Sequence, residues 1–335
     1  MADYASAVRN ATLAAARLHR DLGSEATITS AGGCVDIFTA VARLGVPMLL
    51  RPLNGLLGAF LSDPMPGILV TTERPLSVQR FTGAHELGHF YLKHRPSLDD
   101  ESILRRSPFA ARPAYDVQEV EADAFAVAFM TPMWLIAAHC KRQNWTAPDF
   151  SKPDVVYQLS LRIGASYEAT CWTLVRYKLL SLNTARAHTA LQPRQFKQAL
   201  LGTYRPKNYR GDVWLLTEGD EGSIITGSKA DHFVLRLSEH NGGGYLWDFD
   251  QLMAASFAIV RDEHEPVDTV GIGTHATRRV TIESRDRQTG SLRLIERRPW
   301  QPTKIVNTFE FDYDLNGPEA AGYSRAERRQ MLEAA

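Results

Sequence analysis

Two patterns of apolar spacing divide the chain. Up to about residue 202, apolar side chains recur mainly at three- and four-residue steps. Residues 2–22 are alanine-rich with helical spacing, residues 35–44 give a second short helix, and residues 157–180 repeat the period. Two apolar runs, 46–50 and 67–70, read as strands joined by a glycine-rich turn near Gly55 and Gly58. From Ser77 onward the pattern is helical again. Residues 203 to about 313 behave differently. Short runs rich in Val, Ile, Phe and Trp, such as 212–216, 232–237 and 279–282, alternate with Gly and Asp turns. That is the pattern of a small all-β unit of sandwich type. The expected organisation is an α+β domain over residues 1–202, a β domain over 203–315, and a tail over 316–335, read as a short exposed helix or a frayed end. The linker falls near residues 202–211, which carry Pro206 and two glycines.

Composition narrows the function classes. At 335 residues the chain has a prior of about two domains, and 44% hydrophobic with 23% charged residues is ordinary globular composition. Lys+Arg and Asp+Glu both number 38. Without a basic excess, direct nucleic-acid binding and attachment to anionic membranes are not expected. The three cysteines, Cys34, Cys140 and Cys171, are odd in number and far apart, as in a reducing compartment without a disulfide framework. Cys34 reads as an inert buried thiol. The first residues are interrupted by Arg9, Arg17 and Arg20, and no run of about 18 apolar residues is seen, so neither signal peptide nor spanning helix is expected. A cytoplasmic protein is the expectation.

The chemistry concentrates in Ala84-His85-Glu86-Leu87-Gly88-His89, which contains H-E-x-x-H. Residues four apart on a helix point the same way, so His85 and His89 can grip one zinc ion, with Glu86 beside it where water would sit. Gly88 inside an apolar helix costs roughly 1 kcal/mol against alanine and asks for a reason such as close packing. His94, five residues after His89, would point off the metal face and is expected at the surface. A third ligand is offered by residues 118–126. Glu119 and Asp123 share a helical face, and Glu121 falls on another. Glu119 would complete the metal site, and Asp123 would hold a ligand histidine in one tautomer. Alternatively these acids form a solvated helix face. Two histidines and one glutamate leave a position for water on one zinc per chain, with Glu86 as general base.

Residues 80–89, followed by Glu119-x-x-Ala122-Asp123-x-Phe125-Ala126 and by Met130-Thr131-Pro132, resemble the ImmA/IrrE family of metallo-endopeptidases over about residues 25–180. The resemblance implies a zincin-like fold with His85, His89 and Glu119 as ligands and Glu86 as base. It also implies a protein substrate of regulatory kind, such as a transcriptional repressor. Residues 157–180 resemble the helical segment that follows the zinc helices in that family; packing on the core is their expected role.

In the β domain, residues 241–247, 271–274 and 298–300 are similar, in order and spacing, to the three loop motifs of the chagasin family over about residues 210–305. That family has an immunoglobulin-like sandwich and inhibits papain-like cysteine peptidases. Here Gly242 and Gly243 stand where the family's first loop carries threonines. Tyr245, Trp247, Gly271, Gly273, Arg298 and Trp300 are candidates for a partner-binding loop end, unless the aromatic residues are sandwich core. Three functions stand together. The first is a zinc endopeptidase cutting a specific intracellular regulator with help from a recognition domain. The second is a catalytically silent metallopeptidase-like sensor, and the third a chagasin-type inhibitor.

Overall fold

The computed structural model describes residues 2–63, 65–100, 116–265 and 276–334. Among the described residues, ten α-helices and four strands precede the β-rich region. They run α1 (Ala2–Leu22), α2 (Ser24–Ala31), α3 (Ile37–Arg43), β1 (Met48–Arg51), β2 (Leu56–Leu61), β3 (Gly67–Thr71), α4 (Leu76–Leu92), β4 (Ser97–Asp100), α5 (Val117–Met130), α6 (Met133–Gln143), α7 (Pro153–Ile163), α8 (Tyr167–Arg176), α9 (Leu182–Thr189) and α10 (Pro193–Leu201). The β-rich region runs β5 (Val213–Leu216), β6 (Ser223–Thr226), β7 (His232–Glu239), β8 (Leu246–Asp248), α11 (Asp250–Ala254), β9 (Phe257–Glu265), β10 (Ala276–Ser284), β11 (Thr289–Arg298) and β12 (Gln301–Asp314). The chain ends with β13 (Gly322–Tyr323) and α12 (Arg325–Glu333).

The first sheet has the order β13-β1-β3-β2-β4, with β1 parallel to β3 and the other pairings antiparallel. The expected turn between two strands is therefore a third strand. Gly55 does turn, at φ 77, but Gly58 lies inside β2 and pairs with Val70. Its lack of a side chain serves a close approach. A Cβ at Gly58 would fall 2.5 Å from both Glu86 Oε1 and Thr82 Cγ2 on α4. Helix α4 is buried from Gln79 to His89 on all sides except Phe81, as a helix enclosed by a sheet and other helices must be. Residues 157–180 divide into α7 and α8 because Gly164 adopts φ 70 and Ser166 caps α8 by accepting from Ala169 N. The three cysteines are unpaired, and Cys34 and Cys140 are half-buried rather than enclosed. The stretch Val117–Gln143 is apolar and long enough to cross a membrane, but 61% of its most apolar window is buried inside the protein. It is broken between α5 and α6 and serves as core.

In the β-rich region two four-stranded sheets, β5-β7-β10-β9 and β6-β12-β11-β8, contribute to one buried cluster. The two regions are joined by more than a linker. Strand β5 is the edge of its sheet, and α7 satisfies its outward backbone groups. Val213 N donates to Tyr157 Oη (3.0 Å), and Gln158 Nε2 donates to Val213 O (2.8 Å). Leu215 N donates to Gln158 Oε1 (2.8 Å), and Arg162 Nη2 donates to Leu215 O (2.7 Å). Arg162 also forms a two-point pair with Asp220, at 3.0 and 2.8 Å, and both side chains are 2% exposed.

Residues beyond 316 are not a loose tail. They return to the first region. Strand β13 pairs with β1, Glu327 accepts from Met48 N (2.8 Å), and Glu319 N donates to Gln79 Oε1 (2.8 Å) at the start of α4. A helix forms as expected, with Leu332 78% exposed, but its first turn is anchored by a Ser324–Glu327 capping box.

Asp220→Ala would leave the Arg162 guanidinium buried without its counter-charge. The expected cost is about 3–5 kcal/mol of unfolding free energy, read by denaturant titration. A loss below about 1 kcal/mol would mean that the pair does not hold the regions together.

Candidate metal centre

The metal-ligating candidates stand on two helices that touch at backbone level. A Cβ at Gly88 would fall 3.2 Å from Ala122 Cα and 3.2 Å from Phe125 Cδ1. Glycine at that point lets α4 and α5 cross closely enough for acidic side chains of α5 to reach α4. Asp116 opens α5 by accepting from Gln118 N, which sets the helical phase of the acids that follow.

His85, Glu86 and His89 have no solvent exposure. The Nε2 atoms of His85 and His89 lie 3.0 Å apart. Glu119 Oε2 is 3.5 Å from His85 Nε2, and its Oε1 is 3.6 Å from His89 Nε2. One donor atom from each of the three residues falls within 4.8 Å of the others, so the group could hold a metal ion. With metal–nitrogen bonds of 2.0–2.1 Å, a tetrahedral site has edges of about 3.3 Å. The histidine–histidine edge is 3.0 Å, and Glu119 approaches the two imidazoles at 3.5 and 3.6 Å through its two different oxygens. These separations are of the size a small ion needs, and the three residues could hold one.

Asp123, one turn beyond Glu119, lies 2.9 Å from His85 Nδ1. At that distance the carboxylate favours a proton on Nδ1, the arrangement in which the Nε2 lone pair would face the cluster. The Glu86 carboxylate lies against Gly58 of β2, where a side chain would collide with it. His94 is not at the surface. Its side chain is 6% exposed, with Nδ1 3.1 Å from His89 Nδ1 and Nε2 3.0 Å from Glu121 Oε2. Helix α4 stops at Leu92, and Lys93 takes a left-handed conformation at φ 59, turning His94 back onto the last turn. A helical projection carried through residue 94 points it the wrong way.

The loop candidates of the β-rich region separate into two groups. The Arg298 guanidinium lies 4.4 Å from the centre of the Tyr245 ring, and its Nε donates to Gly243 O at 2.9 Å. Trp300 is 67% exposed and covers Gly244, where a Cβ would fall 2.6 Å from its Cη2. These three form one patch. Trp247 does not join it. It is 6% exposed, belongs to the core cluster, and donates from Nε1 to Ser238 O at 2.9 Å. The partner-binding expectation for Trp247 is corrected to a core role. Gly271 and Gly273 lie outside the described residues.

Comparison with known proteins agrees with both resemblances. Residues 41–175 match the Peptidase_M78 family model, the IrrE N-terminal-like domain, and residues 227–315 match the chagasin family peptidase inhibitor I42. The first match spans the His85–His89–Glu119 cluster and supports a peptidase. No curated protein matches the chain. Among solved structures, the cysteine protease inhibitor EhICP2 from Entamoeba histolytica is 19% identical with a TM-score of 0.28, covering 32% of this chain and 99% of its own. Amebosin is 23% identical with a TM-score of 0.23, covering 31% and 97%.

Glu119→Ala should lose its metal on dialysis that leaves the wild type loaded, and Glu121→Ala should keep it. Elemental analysis showing the opposite order would move the third donor to Glu121.

Proposed function

We propose that the chain is a zinc-dependent endopeptidase of zincin-like fold that cuts a specific regulatory protein, of transcriptional-repressor kind, in the cytoplasm. One observation carries this: a buried glutamate, Glu86, stands on α4 between the two histidines of a compact His85–His89–Glu119 donor set. Two imidazoles and one carboxylate form a donor set of hydrolytic zinc sites, which keep a coordination position open. A purely structural ion has no use for a base beside it.

Zinc, when bound, would supply Lewis acidity that polarises a carbonyl and acidifies water. The protein's own residues supply the rest. Glu86 takes a proton from the attacking water and delivers it to the leaving amine. Its burial against Gly58 limits the positions its carboxylate can adopt. Asp123 keeps His85 in the tautomer that donates electrons from Nε2. The match to the peptidase family over residues 41–175 supports the assignment.

Cells making wild-type protein or Glu86→Gln should differ in a small set of new protein N-termini, present only with the wild type, while both purified proteins hold about one zinc per chain. Identical N-termini from two zinc-loaded proteins would favour a silent sensor.

The β-rich region, read as an immunoglobulin-like sandwich, would act as the recognition element through Tyr245, Arg298 and Trp300. Its match to an inhibitor family favours a second reading, inhibition of papain-like peptidases. Against this, three glycines follow Asn241, and Gly242 and Gly243 stand where that family's first loop carries threonines. Trp300→Ala should weaken cleavage of the natural substrate and leave zinc content unchanged, since an exposed aromatic beside Arg makes a compact hot spot. Full-length Glu86→Gln should leave papain-like activity intact; tight inhibition would establish the second reading.

A further inference from the structure

Three carboxylates on α5 alternate along the helix, and only two have a task so far. Glu119 ligates and Asp123 orients His85. We propose that Glu121 orients the other ligand, His89, through His94, so that the two form a positioning pair for the metal centre. This inference rests on the metal-site reading above.

Proton placement follows step by step. His89 must present an Nε2 lone pair to the cluster, so its proton sits on Nδ1. His94 Nδ1 is 3.1 Å away, and two imidazole nitrogens at that distance share one hydrogen. His89 is then the donor and His94 the acceptor. The proton of neutral His94 is consequently on Nε2, where Glu121 Oε2 accepts it at 3.0 Å. Each assignment forces the next, and the chain ends on a carboxylate that can only accept. The same end is reached for His85 without an intermediary, since Asp123 stands 2.9 Å from its Nδ1.

Local structure explains the intermediary. Glu121 lies about 200° around α5 from Glu119 and cannot face the same point. It faces the chain just beyond α4. There Lys93 reverses direction, His94 N donates to His89 O at 2.9 Å, and the two rings meet at 73° with centroids 5.0 Å apart. The imidazole of His94 spans the gap that Glu121 cannot cross. Outer partners that fix the tautomer of a ligand histidine are worth about 10–100-fold in metal affinity.

A bland alternative is that His94 and Glu121 merely tie the end of α4 to α5. Gln118 supplies the control. Its Oε1 accepts from Arg95 N at 2.8 Å, tying the same segment to the same helix without touching His89. Zinc affinity of the full chain, by competition with a chromophoric chelator, should fall about 10–100-fold in His94→Ala. Glu121→Ala should fall by less, and Glu121→Gln less again, because its amide oxygen still accepts. His94→Gln, which restores an acceptor, should recover part of the loss. Gln118→Ala should stay within about twofold of wild type. Substitution with cobalt(II) should give a shifted visible spectrum in His94→Ala and an unshifted one in Gln118→Ala. Metal-free melting temperatures show whether each variant folds. Wild-type affinity in folded His94→Ala, or equal losses in Gln118→Ala and His94→Ala, would overturn the positioning role. If the wild type itself binds no zinc, the metal-site reading falls first and this inference with it.

Discussion

The backbone contact between α4 and α5 at Gly88 and Ala122 is the constraint on which the site depends. With 3.2 Å between a notional Gly88 Cβ and Ala122 Cα, even alanine would require the neighbouring helix to give by a few tenths of an ångström, and a bulkier side chain by more. Glutamate and aspartate side chains are short, and a separation of a further ångström or two would take Glu119 away from the histidine pair and Asp123 away from His85. The opposite flank of α4 is equally tight. Gly58 of β2 admits the Glu86 carboxylate where any side chain would meet it. The helix is thus held between two glycine contacts, one setting the donors and one setting the base.

Both ends of the chain contribute to keeping that helix in place. Helix α1 packs on α5. The segment after β12 returns to β1 and to Gln79, six residues before His85. Gln79 is fully buried and also donates to Thr71 O, so β3, α4 and the C-terminal segment meet at one amide. The β-rich region stands between these two parts of the first region in sequence. Its edge strand β5 is completed by side chains of α7. The two regions are therefore mutually supporting, and residues 203–315 taken alone would expose an unpaired strand edge with buried partners missing.

The grouping of His85, His89 and Glu119 was legible because its information is local. H-E-x-x-H is a four-residue spacing on one helix, and Glu119 with Asp123 is another. Gly88 also carried its meaning openly, since a glycine in an apolar helix asks for a close neighbour. What could not be read depended on chain reversals and long-range pairing. Lys93 takes a left-handed conformation that nothing about lysine announces, and His94 was misplaced with it. Gly58 looked like turn chemistry, yet its neighbour is a side chain on α4 almost thirty residues away. The strand β13 is two residues long and exists because β1 offers an edge; polar, alanine-rich sequence around it gives no such sign. Trp247 shows the converse difficulty. Aromatic residues in a glycine-rich stretch suit both core and surface, and only its burial decides.

A close helix crossing would build a two-histidine, one-carboxylate zinc site. X-ray absorption at the zinc edge of the purified full chain tests it most directly. Two imidazoles with oxygen donors completing the shell, all at about 2.0–2.2 Å, are the expected result. A thiolate at about 2.3 Å, or a protein that takes up no zinc, would contradict it.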